Sequence, residues 1–379
     1  MSRFDILVDR KSTNTEKYAR YAHLGDVIPA WVADMDFLSP ECVINALQQR
    51  VNHGVFGYTH PPQSLLNATK NFIKRHYNWE IETEWIVWSS GVVPSMNIVC
   101  GMLEDNESVI TTTPIYPYFL SAPKNMGKEV VAVPMREIEG RWSIDFDEFE
   151  AAITPTCKLM LLCNPYNPGG TVFTCKELTR LGEIAVKHDM LICSDEIHAD
   201  LLLKPDLKHT PIASLSEELA QRTITLLAPS KTFNIAGLQC SYAVIPNSTL
   251  RQRFIRSMGH INGGVNLLGL TAGEAAYEGG DGWLLELRQY LRSNLALVQE
   301  FVAKHPALKM LEHEATFLAW IDCRVLNTNA YELFLKHGVV LTDGAGFGDK
   351  NFVRLNFGCP RNTLIEILRR MDNALHVKE

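Results

Sequence analysis

No long apolar run, no C-x-x-C pair, no basic block and no internal repeat occurs in this chain of 379 residues. Each absence removes a class of protein. With no stretch apolar enough for a bilayer, a membrane role is not expected. The opening Met1-Ser2-Arg3-Phe4-Asp5 lacks the apolar core of a signal peptide, so a cytoplasmic location is expected. Nine cysteines, an odd number, show no disulfide framework and no Cys/His spacing for a metal. Reduced thiols and no metal site are the simplest account. A net charge of −7 without clustered Lys or Arg argues against nucleic acid as a partner.

The composition that remains, 46% hydrophobic and 21% charged, is that of a globular protein with a sizeable core. The length suits two domains, or one large domain with a smaller one attached. Strand-like runs fall at Trp85–Trp88, Ser108–Thr112, Glu129–Val133, Lys158–Cys163, Met190–Ser194, Thr223–Ala228 and Ser241–Ile245. Helical spacing falls between them at Ile44–Val51, Leu65–His76 and Lys176–His188. This alternation predicts an α/β fold, with one seven-stranded, mostly parallel sheet over residues 46–280 and helices on both faces. Beyond Gly279-Gly280-Asp281-Gly282, apolar residues Leu284, Leu287, Leu291, Leu295, Val298 and Val302 predict a long amphipathic helix. Strands at Phe317–Ile321 and Phe352–Phe357 and a final helix from Asn362 complete a smaller α+β domain. It is expected to take in residues 281–379 and the N-terminal arm, 1–45.

Three strand-like runs end on residues that carry chemistry. One leads into Asn164-Pro165-Tyr166-Asn167-Pro168-Gly169-Gly170, the next into Asp195-Glu196, the third into Ser230-Lys231-Thr232-Phe233-Asn234. A lysine on a small-residue turn is usually a surface lysine. Ligands of doubly wound sheets, however, bind outside the carboxyl ends of the strands, where an amide, a carboxylate and an amine can converge. That trio suits pyridoxal phosphate: the amine condenses with the cofactor aldehyde, and the carboxylate keeps the pyridine nitrogen protonated. Upstream, Trp85–Met96 reads as a strand, a Ser/Gly turn and a helix start, whose free amides suit a phosphate. Near the C-terminus, Arg354 lies in a strand-like run, and a guanidinium matches a carboxylate with paired hydrogen bonds. Ala345-Gly346-Phe347-Gly348 has no strand before it and no helix after it, so it is read as a flexible loop and not a dinucleotide fingerprint.

In this order and spacing, the Asn-Pro-Tyr-Asn-Pro-Gly-Gly, Ser-Asp-Glu-Ile-His and Ser-Lys-Thr-Phe-Asn motifs resemble the fold-type I, aminotransferase-like pyridoxal-phosphate enzymes. Pro29–Phe37, Gly54-Val55-Phe56-Gly57-Tyr58 and Asn356-Phe357-Gly358-Cys359-Pro360-Arg361 narrow the resemblance to the MalY/PatB-type cystathionine β-lyases (C–S lyases), over nearly the whole chain. The resemblance implies that Lys231 carries the cofactor and removes the α-proton, while Asp195 holds the ring nitrogen. Asn167, rather than Asn164, would reach the ring hydroxyl. Gly91, Val92, Val93 and Ser230 would cup the phosphate, with Tyr116 stacked on the ring and Tyr118 and Phe119 serving as packing. Arg354 would bind the substrate carboxylate. Tyr58 would reach the phosphate of a neighbouring subunit, making the enzyme a homodimer with shared sites. Two positions depart from the broader superfamily: His198 stands where a ring-hydroxyl tyrosine is common, and Gln239 where a phosphate arginine is common. His198 is kept among the cofactor-binding residues. The implied reaction is β-elimination from an amino-acid thioether, cystathionine or cysteine, to a thiol, pyruvate and ammonia. An aminotransferase, or a regulatory protein that keeps the cofactor, are the alternatives.

Overall fold

The computed structural model describes residues 2–259, 262 and 264–376. Its centre is a seven-stranded sheet of β1 (Ile86–Ser89), β2 (Ser108–Thr113), β3 (Val130–Pro134), β4 (Cys157–Cys163), β5 (Leu191–Asp195), β6 (Thr223–Leu227) and β7 (Ser241–Val244). All seven expected strands are present, with no end shifted by more than one residue. Their order is β1-β7-β6-β5-β4-β2-β3. Only β7 runs antiparallel to its neighbours.

Alternation along the strands builds the two faces. In β7, Tyr242 and Val244 join one apolar cluster and Ala243 joins the other. In β1, Ile86 and Val87 divide in the same way. Both faces are therefore buried under helices. The helix Gln63–Tyr77 buries Leu65, Ala68, Phe72 and Ile73 at helical spacing and stops at Asn78, whose φ of 52° ends the turn in the left-handed region. The helix Cys175–Lys187 starts on a capping box between Thr174 and Glu177.

The long helix is Asp281–Lys304, and the six apolar residues of the expected stripe are all buried along it. Each such side chain contributes roughly 1.5–3 kcal/mol when fully removed from water. A three-stranded antiparallel sheet follows: β8 (Leu318–Asp322), β9 (Thr342–Asp343) and, between them, β10 (Phe352–Asn356). The N-terminal arm joins this part of the chain through parallel pairing of Ile28–Pro29 with Val339–Val340.

Two expectations need correction. Ala345–Gly348 is not a flexible loop: Gly344–Phe347 forms a 3-10 turn, capped where the Ala345 N–H donates to Asp343 Oδ1 at 2.9 Å. The Phe347 ring is buried, which pins the turn despite its glycines. Tyr118 is exposed rather than packed, whereas Phe119 is fully buried. Among the described residues no helix is long and apolar enough to cross a membrane.

Candidate active site

The carboxyl ends of β4, β5 and β6 and the turn after β1 meet at one pocket of about 200 Å³. Nine of the eleven candidate residues line it: Gly91, Val92, Val93, Tyr116, Asn167, Asp195, His198, Ser230 and Lys231. Arg354 and Tyr58 do not. Arg354 stands directly behind Asn167, and Tyr58 is fully exposed.

Lys231 sits on a single helical turn, Pro229–Thr232, that begins two residues after β6. Proline at its start presets φ and needs no N–H partner. The amine donates to the Ala33 carbonyl at 2.6 Å. Burial, aided by the nearby Arg354 cation, lowers the amine to about 8 against the pull of Asp34 and Asp195. Asp195 closes β5; burial pushes its carboxyl up to about 7, offset in part by the Ile197 N–H at 3.1 Å. His198 is buried, and desolvation drives its imidazole down to about 3, so it is neutral, with Nδ1 lacking a partner among the described residues.

Asn167 and Tyr116 are fixed together, since the Tyr116 N–H donates to the Asn167 carbonyl at 3.1 Å. Asn164 points elsewhere: its Oδ1 accepts from Phe173 N at 3.0 Å, so it holds its own loop. Arg354, in the middle strand β10, donates to Asn167 Oδ1 at 3.1 Å and to the Trp31 carbonyl at 3.1 Å. Among the described residues its Nε has no partner and no carboxylate pairs with it, and the Phe347 ring lies 4.7 Å from the guanidinium. Burial lowers this arginine to about 10, the signature of a cation lacking its anion. The pocket-lining helix Val92–Cys100 starts after Gly91 with no side-chain cap, leaving its first amides free for an anion. Gln239 is exposed and lies outside the pocket.

The segment Trp31–Asp36, part of the Pro29–Phe37 stretch that carries the resemblance, had no expected site role. Its carbonyls accept from both ends of the site: Trp31 from Arg354, Val32 and Asp34 from Asn356, and Ala33 from Lys231. Asn234, in the left-handed region at φ 56°, bonds Met35 and Phe37 and anchors the far end. On the outside, Arg10 and the buried Lys17 pair with Asp34 and Asp36 at 2.6–2.7 Å. The alternating Asp34 and Asp36 were the available sequence signal.

These unmet groups fit pyridoxal phosphate. An amine with a lowered pKa, a buried carboxyl with no ion pair among the described residues, free helix-start amides and an aromatic face all border one cavity.

The sheet order and the strand-end site together define the fold-type I, aminotransferase-like architecture. The chain belongs to the aminotransferase class I and II family, whose sequence profile matches residues 31–371. It is 38% identical to the cystathionine beta-lyase PatB of Bacillus subtilis, over 98% of this chain and 99% of PatB. Among solved structures, OvoB is 44% identical with a TM-score of 0.97, covering 99% of this chain and 100% of OvoB. Cystalysin of Treponema denticola, which contains a pyridoxal 5'-phosphate cofactor, is 34% identical with a TM-score of 0.95, covering 99% of both chains.

Proposed function

We propose that this protein is a pyridoxal-phosphate-dependent C–S β-lyase that converts cystathionine and related amino-acid thioethers to a thiol, pyruvate and ammonia. The cofactor assignment is carried by the convergence of Lys231, Asp195 and the free helix-start amides on one pocket. The reaction type is supported by the full-length similarity to a cystathionine beta-lyase.

When bound, the cofactor supplies an aldehyde for amines and a ring that accepts the electron pair left by a departing proton. Lys231 would hold it and, once the substrate amine has taken its place, would serve as the base for the α-proton; an amine brought to about 8 is suited to general-base work. Asp195 keeps the ring nitrogen protonated, and a cation beside it reverses the burial that raises its carboxyl. Because Asn167 Oδ1 is taken by Arg354, its NH₂ is left as the donor toward the ring hydroxyl. Gly91, Val92, Val93 and Ser230 hold the phosphate, and Tyr116 covers the ring. His198 lines the same pocket as a neutral imidazole whose Nδ1, unpartnered among the described residues, would be available to the bound group. Arg354 receives the substrate carboxylate through its unpaired Nε and the remaining N–H groups of a guanidinium otherwise held by Asn167 and Trp31.

Tyr58, exposed beside Val55 and Phe56, is read as reaching the phosphate of a second subunit in a homodimer. Residues 46–280 are read as the cofactor-binding domain, with 1–45 and 281–379 as the smaller one. Nine free cysteines, seven of them buried, suit a reducing cytoplasm. An aminotransferase would use the same residues but needs a keto-acid acceptor. Release of thiol from cystathionine with no keto acid added separates the two readings.

A further inference from the structure

Asp200 lies on the segment that follows Asp195 and His198, yet it is not part of the pocket lining. It is 4% exposed, and both of its carboxylate oxygens are taken. The Thr232 hydroxyl donates to Oδ2 at 2.7 Å, and the Tyr77 hydroxyl donates to Oδ1 at 2.6 Å. Bonds of that length to a carboxylate are roughly twice as strong as neutral ones. Burial and the Asp200 charge push the Tyr77 phenol well above its usual range, so it stays a donor. On the other side, Arg288 Nε in the long helix donates to the Asp200 backbone carbonyl at 2.5 Å. Asp200 is thereby fixed to the helix Gln63–Tyr77 and to the helix Asp281–Lys304.

Its link to the pocket runs through Thr232, the residue after Lys231. The turn Pro229–Thr232 is too short to hold itself by helical bonds. Its backbone contributes the Phe233 N–H to Pro229 at 2.9 Å and the Ile235 N–H to Ser230 at 3.0 Å. Side-chain anchors must therefore set where the lysine reaches. Asn234 supplies one, on Met35 and Phe37, and the fully buried Thr232 supplies the other, on Asp200. β5 and β6 are neighbours, with Asp195 paired opposite Leu226. The Asp200–Thr232 bond joins the segments beyond their carboxyl ends, one carrying Asp195 and His198 and the other Lys231. The charges weighing most on the Lys231 amine are those of Asp34, Arg354 and Asp195, so Asp200 acts by geometry.

We propose that Asp200 is a positioning residue for the reaction, acting through Thr232 to hold Lys231 in place relative to Asp195 and His198. Tyr77 holds the carboxylate in the orientation that Thr232 needs. This role rests on the assignment of Lys231 as the cofactor lysine and adds what keeps that lysine in place.

The test uses the holoenzyme with cystathionine and no keto acid, and follows the pH midpoint of the bound cofactor's visible absorption. Thr232→Val keeps the shape of the side chain and removes the hydroxyl. Its kcat should fall by roughly tenfold with KM unchanged, the effect of one lost hydrogen bond to a charged group, and the absorption midpoint should move. Thr232→Ser keeps the hydroxyl and should restore kcat to within about twofold. Asp200→Asn should lower kcat as well, and adding Thr232→Val to it should cost little more, because both break one bond. If Thr232→Val does not fold, Tyr77→Phe decides: it leaves the turn intact, frees one carboxylate oxygen and should lower kcat by about threefold. Wild-type kcat and midpoint in the deciding variant, even with a lower melting temperature, overturn the positioning role and make the bond merely structural. Equal losses in Thr232→Val and Thr232→Ser overturn it too. A wild type in which borohydride fixes no cofactor on Lys231 overturns the cofactor reading itself.

Discussion

Arg354 and Asn167, 187 residues apart in the chain, share a 3.1 Å hydrogen bond from the guanidinium to the side-chain carbonyl. The bond couples the arginine proposed for the substrate to the amide proposed for the cofactor, and it decides which way the amide faces. Arg354→Lys keeps the charge but loses the fork, so it disturbs both partners. The expected result is a fall in kcat/KM of about 10- to 100-fold, mostly in KM. An accompanying change in the visible absorption of the bound cofactor would report the altered Asn167. A variant with wild-type kinetics and spectrum would remove Arg354 from the site.

The lowered amine of Lys231 predicts how the empty protein takes up its cofactor. Only the neutral amine attacks an aldehyde, and Lys231 is neutral above about 8. The rate of loading, followed by absorbance, should therefore rise with pH up to that value and flatten beyond it. Borohydride should then fix the label on Lys231, and Lys231→Ala should neither take the label nor turn over substrate. Loading that does not vary between pH 6 and pH 9 would contradict the proposed environment of this lysine.

Tyr58 offers a test of shared sites, because its side chain is exposed and is not among its own pocket lining. Lys231→Ala chains mixed with Tyr58→Phe chains should give hybrid dimers with one intact site, and activity should rise well above either parent. If hybrids form and activity stays at the parental level, Tyr58 serves no neighbouring site.

His313 is buried, and desolvation lowers its imidazole from the usual 6.5 to about 4. The unfolded chain gains this proton near pH 6.5, whereas the folded chain resists until about pH 4. The neutral form is the folded one, so stability is full above 6.5 and is lost as the pH falls toward 4, on the order of 3 kcal/mol from this residue. In urea titrations at pH 7 and pH 4.5, His313→Gln should show the smaller drop in midpoint. Equal drops in both proteins would assign the acid sensitivity elsewhere.

The sheet was legible in the sequence because each strand is an apolar run with punctuation at its ends, and Lys158–Cys163, Met190–Ser194 and Thr223–Ala228 end on the residues that carry chemistry. The contacts that complete the site were not. A backbone acceptor such as the Ala33 carbonyl leaves no mark on residue type. Lys17 lies in a polar stretch and reads as a surface lysine, yet it is 1% exposed because Asp34 and Asp36 fold back onto it. Phe347 looks mobile among glycines, yet its ring is buried between the distant Arg354 and Trp320. In each case the deciding partner lies far away along the chain, where local patterns carry no information.

On the proposed assignments, lyase and aminotransferase chemistry would begin alike, with Lys231 taking the α-proton and Asp195 holding the ring charge, and then diverge. Elimination expels the β-thiolate; transamination returns a proton to the cofactor carbon and needs a second substrate in the same pocket. The most direct test is the product balance from cystathionine with no keto acid present. Homocysteine, pyruvate and ammonia should appear in equal amounts over many turnovers, with the cofactor spectrum unchanged at the end. A requirement for 2-oxoglutarate, or a single turnover that leaves the cofactor in its amine form, would contradict the lyase account.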